Sequence, residues 1–256
     1  MVFSTLLKCI YGLIKADEGE VLLNGKKVKG PDEQLIPGNA EMKMVTQDFS
    51  LNIYAKVYDN IASMLSNTDI KAKQEKTLAM LEHLHITKLK DKKIIELSGG
   101  EQQRVAIAKA LISNTKVLLL DEPFSQVDSL LKNQLRADIK RLAKETGLTI
   151  ILVSHDPTDG LFLADQLLIL KNGQLLQNDK PEVIYRNPSD LYTAKILGNA
   201  VVLDTAQANQ IGIKTTKNNV VFYPEWVELK STWNSRRVGG VGVYYKGFYD
   251  VLLFVR

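Results

Sequence analysis

The chain has 256 residues, 45% hydrophobic and 24% charged, with a net charge of +4 from 33 basic and 29 acidic side chains. This composition suits a globular protein with one large domain and one small one, and so slight and dispersed a positive excess gives no case for nucleic-acid binding. Cys9 is the single cysteine, which excludes an intrachain disulfide, and no stretch has the ~18 consecutive apolar residues of a membrane span or the pattern of a signal peptide.

In chain order, Leu6, Leu7, Ile10, Leu13 and Ile14 recur at helical spacing and predict a helix over 4–14, with Cys9 a buried thiol among them. Asn24-Gly25 between short apolar runs predicts a tight hairpin. Residues 42–47 read as a strand that ends at Gln47, and residues 56–90 are mostly helical in pattern. Ser98 followed by Glu101 is a capping box, so a helix is expected to start just after Ser98. Val117–Leu120 is a short apolar run of the kind that forms a buried parallel strand. Residues 129–145 form an amphipathic charged helix, 148–153 a second buried strand, and Asn172-Gly173 a second hairpin turn. Residues 181–199 read as a short helical segment and a linker. From about residue 200, short β-type runs rich in aromatics replace the helices.

Four features carry possible chemistry. The run VLLLDEP delivers Asp121 and Glu122 at the C-terminal end of a buried strand, which is where ligands sit in open α/β sheets. Asp121 suits a Mg²⁺ held partly through water, and Glu122 suits the deprotonation of an attacking water. The alternative is a pair of acids that merely ends a strand at the surface. Ser98, Gly99 and Gly100 open a helix whose uncovered N–H groups and dipole can attract an anion, or they are simply a flexible turn before a capped helix. His155 follows the second strand, where an imidazole can reach a phosphate or a water, or face solvent. Gln47 ends a strand before a loop and is a weak signal alone. His83 and His85 lie in a helical segment without other metal-type ligands, and carry no site.

Taken together and in order, a strand-ending Gln, LSGGEQQR, a DEP strand, SQVD and a strand followed by SHD resemble the ATP-binding subunits of ABC transporters. The resemblance covers residues 4–200. It implies an α/β fold with a P-loop NTPase-type, mostly parallel sheet and a helical subdomain at about 48–110, all within a first domain of residues 1–195. It implies binding of ATP and Mg²⁺. Gln47 would be the Q-loop glutamine, and Ser98, Gly99, Gly100 and Gln102 the signature. Asp121 and Glu122 would be the Walker B pair, Asp128 the D-loop aspartate, and His155 the switch histidine. Two subunits, as a homodimer or a pair of ATPases, would sandwich ATP between the phosphate loop of one and the signature of the other. Integral membrane permease subunits would carry the solute, placing the chain peripherally on the cytoplasmic face of the inner membrane. Phe49, Tyr54 and Tyr58 would then be exposed for docking, with local packing as the alternative.

The family's phosphate loop, G-x-x-x-x-G-K-[ST], aligns Ser4-Thr5 with its end. Ser4 then keeps the hydroxyl that ligates Mg²⁺ and Thr5 lies beside phosphate, but Val2 and Phe3 stand where Gly and Lys are expected. The sequence therefore reads as starting inside that loop and as impaired in ATP binding. Lacking a preceding strand, the VLLL strand is expected to expose an apolar edge. The segment VVFYPEWVEL, with Tyr223 in place of an Arg, resembles part of the small OB-like domain of importers, so residues 200–256 are expected to form a small β domain and the transporter to be an importer of the iron, polyamine or sugar class. The alternative is a non-transport ABC-type ATPase or a non-hydrolysing regulatory paralogue.

Overall fold

The computed structural model describes residues 2–46, 48–113, 115–216, 218–226, 240–246 and 249–254. They divide into two compact units, one up to Asp165 and one from Gln166.

The first unit opens with helix α1 (Val2–Tyr11). A two-residue hairpin follows, strands β1 (Leu22–Leu23) and β2 (Lys26–Lys27), turned by Asn24 at φ 52° and Gly25 at φ 74°. Both turn residues are left-handed, as the two-residue hairpin requires. Strand β3 (Met42–Val45) leads to the helices α2 (Val57–Ala62) and α3 (Ile70–His83). Helix α4 (Gly99–Leu111) starts where the capping box predicted it: Ser98 Oγ accepts from the Glu101 N–H and the Glu101 carboxylate accepts from the Ser98 N–H. Strand β4 (Val117–Asp121), helix α5 (Ser129–Thr146), strand β5 (Thr149–Val153) and helix α6 (Pro157–Leu163) complete the unit.

Strands β3, β4 and β5 form a parallel sheet with β4 in the centre. All five residues of β4 are buried. Its side chains alternate between two cores, as strand geometry demands. Leu118 and Leu120 enter the larger one with Ile61, Leu81, Ile107 and Leu135, whereas Val117 and Leu119 pack with Leu7, Val28 and Met42. The expected exposed edge on β4 is thus corrected: β3 and β5 cover both of its sides. Among the described residues β3 and β5 are the edge strands, each hydrogen-bonded on one side only, and Ile151 of β5 is 37% exposed. The sequence reading missed this because it could not order three strands that are far apart in the chain.

The second unit contains the antiparallel hairpin β6 (Leu167–Lys171) and β7 (Gln174–Asp179), turned at Asn172-Gly173 as predicted. Residues 181–199 form two helices, α7 (Pro181–Arg186) and α8 (Leu191–Leu197), capped by Pro181 at the first turn and by Asp190. Strand β8 (Val201–Asp204) pairs with β9 (Asn219–Phe222) across a short helix α9 (Thr205–Gln210), which the β-type reading of this region did not anticipate. Asp204 and Gln207 cap α9 reciprocally, and the alanines and glutamines of TAQANQ favour a helix over a strand. A last hairpin joins β10 (Gly240–Lys246) and β11 (Tyr249–Phe254).

Residues 166–195, read from the sequence with the first domain, cluster here with the C-terminal residues. The reason is aromatic. Tyr223 is fully buried, stacks on Tyr185 at 4.3 Å and donates its hydroxyl to the Ala194 carbonyl at 3.0 Å, while Trp226 meets both rings edge-on.

Candidate functional site

The C-terminal end of β4 brings together residues that are far apart in sequence. Asp121 is 7% exposed, and one of its carboxylate oxygens accepts a hydrogen bond from Ser4 Oγ on α1 at 2.9 Å. Leu7, fully buried against Leu119, presses α1 onto the sheet and so sets the height of Ser4. Glu122 adopts φ 51°, a left-handed conformation that costs a non-glycine residue about 1–3 kcal/mol and persists only when neighbours impose it. Here its N–H donates to the Val153 carbonyl at 3.0 Å and its own carbonyl accepts from Ser125 Oγ at 2.9 Å. The turn aims the Glu122 side chain at the loop after β5, where its Oε2 lies 2.7 Å from His155 Nδ1. A carboxylate only accepts, so Nδ1 carries the hydrogen. His155 is 76% exposed and Glu122 22%, which leaves both open to solvent and to a reactant.

The loop carrying His155 is itself held. Ser154 Oγ bonds the Asp159 carboxylate, and Asp156 caps α6 by accepting from the Thr158 N–H at 3.0 Å. Burial opposes ionisation of Asp156, but the Thr158 hydrogen bonds and the charges of Arg136 and Lys132 outweigh it and hold the carboxyl below the usual Asp range. Because that folded value is depressed, the stabilisation is present in full above the unfolded value and is lost as pH falls through the folded one. Asp156→Asn is therefore expected to flatten the acid limb of the stability curve below about pH 4, read as urea midpoints at successive pH values. An acid limb unchanged by the substitution would count against it.

Ser98, Gly99, Gly100 and Gln102 lie at the start of α4. Gln102 Nε2 donates to the carbonyls of Ile94 at 3.3 Å and Leu97 at 3.2 Å, stapling the turn to the preceding 3₁₀ segment Ile94–Glu96. Gly99 is required by close approach: a Cβ there would sit 2.6 Å from the Gln126 carbonyl oxygen. The turn at Ser98 thus rests directly on the 125–128 loop, which ends in the exposed Asp128. A cleft of about 340 Å³ opens beside it, lined by His85, Ser98, Gly100, Arg104 and Leu131. Thr5 is exposed on α1. Gln47 lies outside the described residues.

The structure thus joins Ser4 to Asp121 and Glu122 to His155, and seats Ser98–Gln102 on a different element, linked through residues 125–128. Of the three aromatics expected to be exposed, only Tyr54 is, at 72%; Phe49 is 8% exposed and Tyr58 packs against the larger core. Cys9 is half-buried rather than buried. Sequence reasoning missed Arg136 and Asp159, both buried, because charged residues in amphipathic helices read as a solvated face.

No described helix is long and apolar enough to cross a membrane. The family described as ABC transporter matches residues 4–125. The chain is 32% identical over 222 residues to the spermidine/putrescine import ATP-binding protein PotA of Mannheimia succiniciproducens, covering 85% of this chain and 58% of that one. It is 31% identical over 249 residues to PotA of Mesoplasma florum, covering 90% and 70%. It is 36% identical over 227 residues to the Fe(3+) ions import ATP-binding protein FbpC 2 of Haemophilus influenzae, covering 85% and 64%. The chain thus spans 58–70% of the length of these relatives. Among solved structures, CbiO1 from Clostridium perfringens, part of the ABC transporter complex CbiONQ, superimposes with a TM-score of 0.65 at 25% identity, covering 82% of this chain and 81% of that one. With its parallel β3-β4-β5 sheet and these relatives, the chain belongs to the ATP-binding proteins of the ABC transporter family.

Proposed function

We propose that the chain is the ATP-hydrolysing subunit of an importer, acting as one of a pair of ATPase subunits against separate membrane permease subunits at the cytoplasmic face of the inner membrane. One observation carries the reading: Glu122 Oε2 lies 2.7 Å from His155 Nδ1 at the end of the strand that also presents Asp121 to Ser4 Oγ at 2.9 Å. A carboxylate oriented by an imidazole can hold a water in line with a terminal phosphate and take its proton. Ser4 and Asp121 supply two hard oxygen donors. Two suit Mg²⁺, which keeps several waters and takes further oxygens from phosphates, and Gln47 is the third protein group assigned to it. Bound there, the cation would neutralise phosphate charge. Ser98, Gly99, Gly100 and Gln102, at the start of α4 rather than at the end of β4, would face the nucleotide of the second copy, together with Asp128 at the far end of the loop that follows Glu122.

In this reading residues 1–195 are the ATPase domain, with a helical subdomain at about 48–110, and residues 200–256 a small OB-like β domain. Tyr54 is the exposed aromatic available to a permease. The relatives named for polyamine and ferric-iron import favour a solute of those classes, with sugar also in range. Val2 and Phe3 offer neither the glycine nor the ammonium of a phosphate loop, so this chain is expected to bind ATP weakly. Co-purification tests the transport role: tagged protein is expected to carry polytopic permease subunits out of detergent-solubilised membranes. ATP turnover without any such partner would instead favour a non-transport ATPase, and neither turnover nor partner a regulatory paralogue.

A further inference from the structure

One buried cation touches both loops that carry Glu122 and His155. Arg136 on α5 is 5% exposed. Its Nε donates to Asp159 Oδ1 at 2.7 Å, its Nη2 to Asp156 Oδ2 at 3.0 Å and its Nη1 to Asn133 Oδ1 at 2.9 Å. Its guanidinium carbon lies 5.5 Å from the centre of the Phe124 ring. Asp159 is fully buried and bonds Ser154 Oγ. Ser154 and Asp156 are the two neighbours of His155, and Phe124 is two residues beyond Glu122. A single planar fork thus grips His155 from both sides and stacks on the loop of its partner.

Stability alone is a poor reason for this arrangement, because buried ion pairs can often be replaced by apolar residues at little cost. We propose that Arg136 is a positioning residue that fixes the loop of His155 against the loop of Glu122, so that the imidazole stands at hydrogen-bond distance from the carboxylate. The proposal rests on the reading of Glu122 and His155 as the hydrolytic pair. Lysine keeps the charge but has no fork, and its compact ammonium cannot reach Asp156, Asp159 and the Phe124 face together.

The test uses the chain without nucleotide. In Arg136→Lys, hydrogen exchange at the amides of residues 154–156 and 158–160 is expected to quicken about tenfold or more, while that of β4 changes by less than about twofold. In nitrogen-15 spectra, the His155 Nδ1 resonance is expected to leave its hydrogen-bonded position for that of two averaged tautomers; His155→Gln identifies the signal among the 3 histidines. Asp159→Asn, which leaves Arg136 bound to Asp156, is expected to give a smaller shift of the same kind and serves if Arg136→Lys fails to fold. A His155 signal and a 154–160 exchange rate unchanged in a folded variant would overturn the proposal. Since no nucleotide is involved, failure of the hydrolytic reading would appear separately, in the phosphate release of Glu122→Gln.

Discussion

Glu122→Gln is expected to lower phosphate release from millimolar Mg-ATP by about 10²–10⁴-fold, the range for loss of a positioned general base. The substitution is close to isosteric. Gln can still accept the His155 hydrogen bond, so the fold and the left-handed turn at residue 122 stay in place. What disappears is the carboxylate's ability to take a proton from water. Urea midpoints are expected to agree with those of the unsubstituted chain, which separates chemistry from folding. Nucleotide affinity is expected to hold, because Glu122 acts on the water rather than on the phosphates. Release that continued at the original rate would sink the assignment of Glu122 and, with it, the hydrolytic reading of the site.

The second large effect is on stability. Leu119→Ala is expected to cost about 3–5 kcal/mol, the usual range for a fully buried leucine whose site cannot collapse. Leu119 is 0% exposed and sits on the central strand, where neighbours on both sides prevent relaxation. Its partners include Leu7 of α1. The cavity therefore opens beneath the helix that carries Ser4, and the Ser4–Asp121 hydrogen bond is expected to loosen as well. Ile151→Ala on β5, 37% exposed at the free side of the sheet, provides the contrast, at about 1 kcal/mol. Urea unfolding of both variants measures the difference. Equal losses would mean that β4 is not the organising strand of this unit.

The site is arranged so that strain and packing sit at the same place. Glu122 holds an uncommon backbone conformation, and the groups that hold it there come from β5 through Val153 and from its own loop through Ser125. The signature turn is coupled to the same loop by contact: Gly99 has no room for a side chain against Gln126, and Gly100 none to spare against Val127. A shift of residues 125–128 must therefore be felt both at Glu122 and at Ser98.

Local chemistry made much of this readable from the chain. The Ser98/Glu101 box fixed the start of α4, Asn24-Gly25 and Asn172-Gly173 fixed two hairpins, and four consecutive apolar residues before Asp121 marked a buried strand. Each depends on groups within a few residues, so sequence carries it directly. The order LSGGEQQR, DEP, SHD also named the chemistry, because the spacing of those motifs is itself a record of the fold.

What tertiary structure alone decided is which distant residues meet. Strand order put β4 rather than β5 in the centre, brought Ser4 to Asp121 across 117 positions and His155 to Glu122 across 33. It also drew the polar face of α5 inward at Arg136, where the buried Asp159, the half-buried Asp156 and an aromatic ring await it. None of these follows from periodicity, because a charged helical position reads as solvent-facing until the elements packed against it are known. The energy that holds such a group inside comes from partners that the chain supplies only once it has folded.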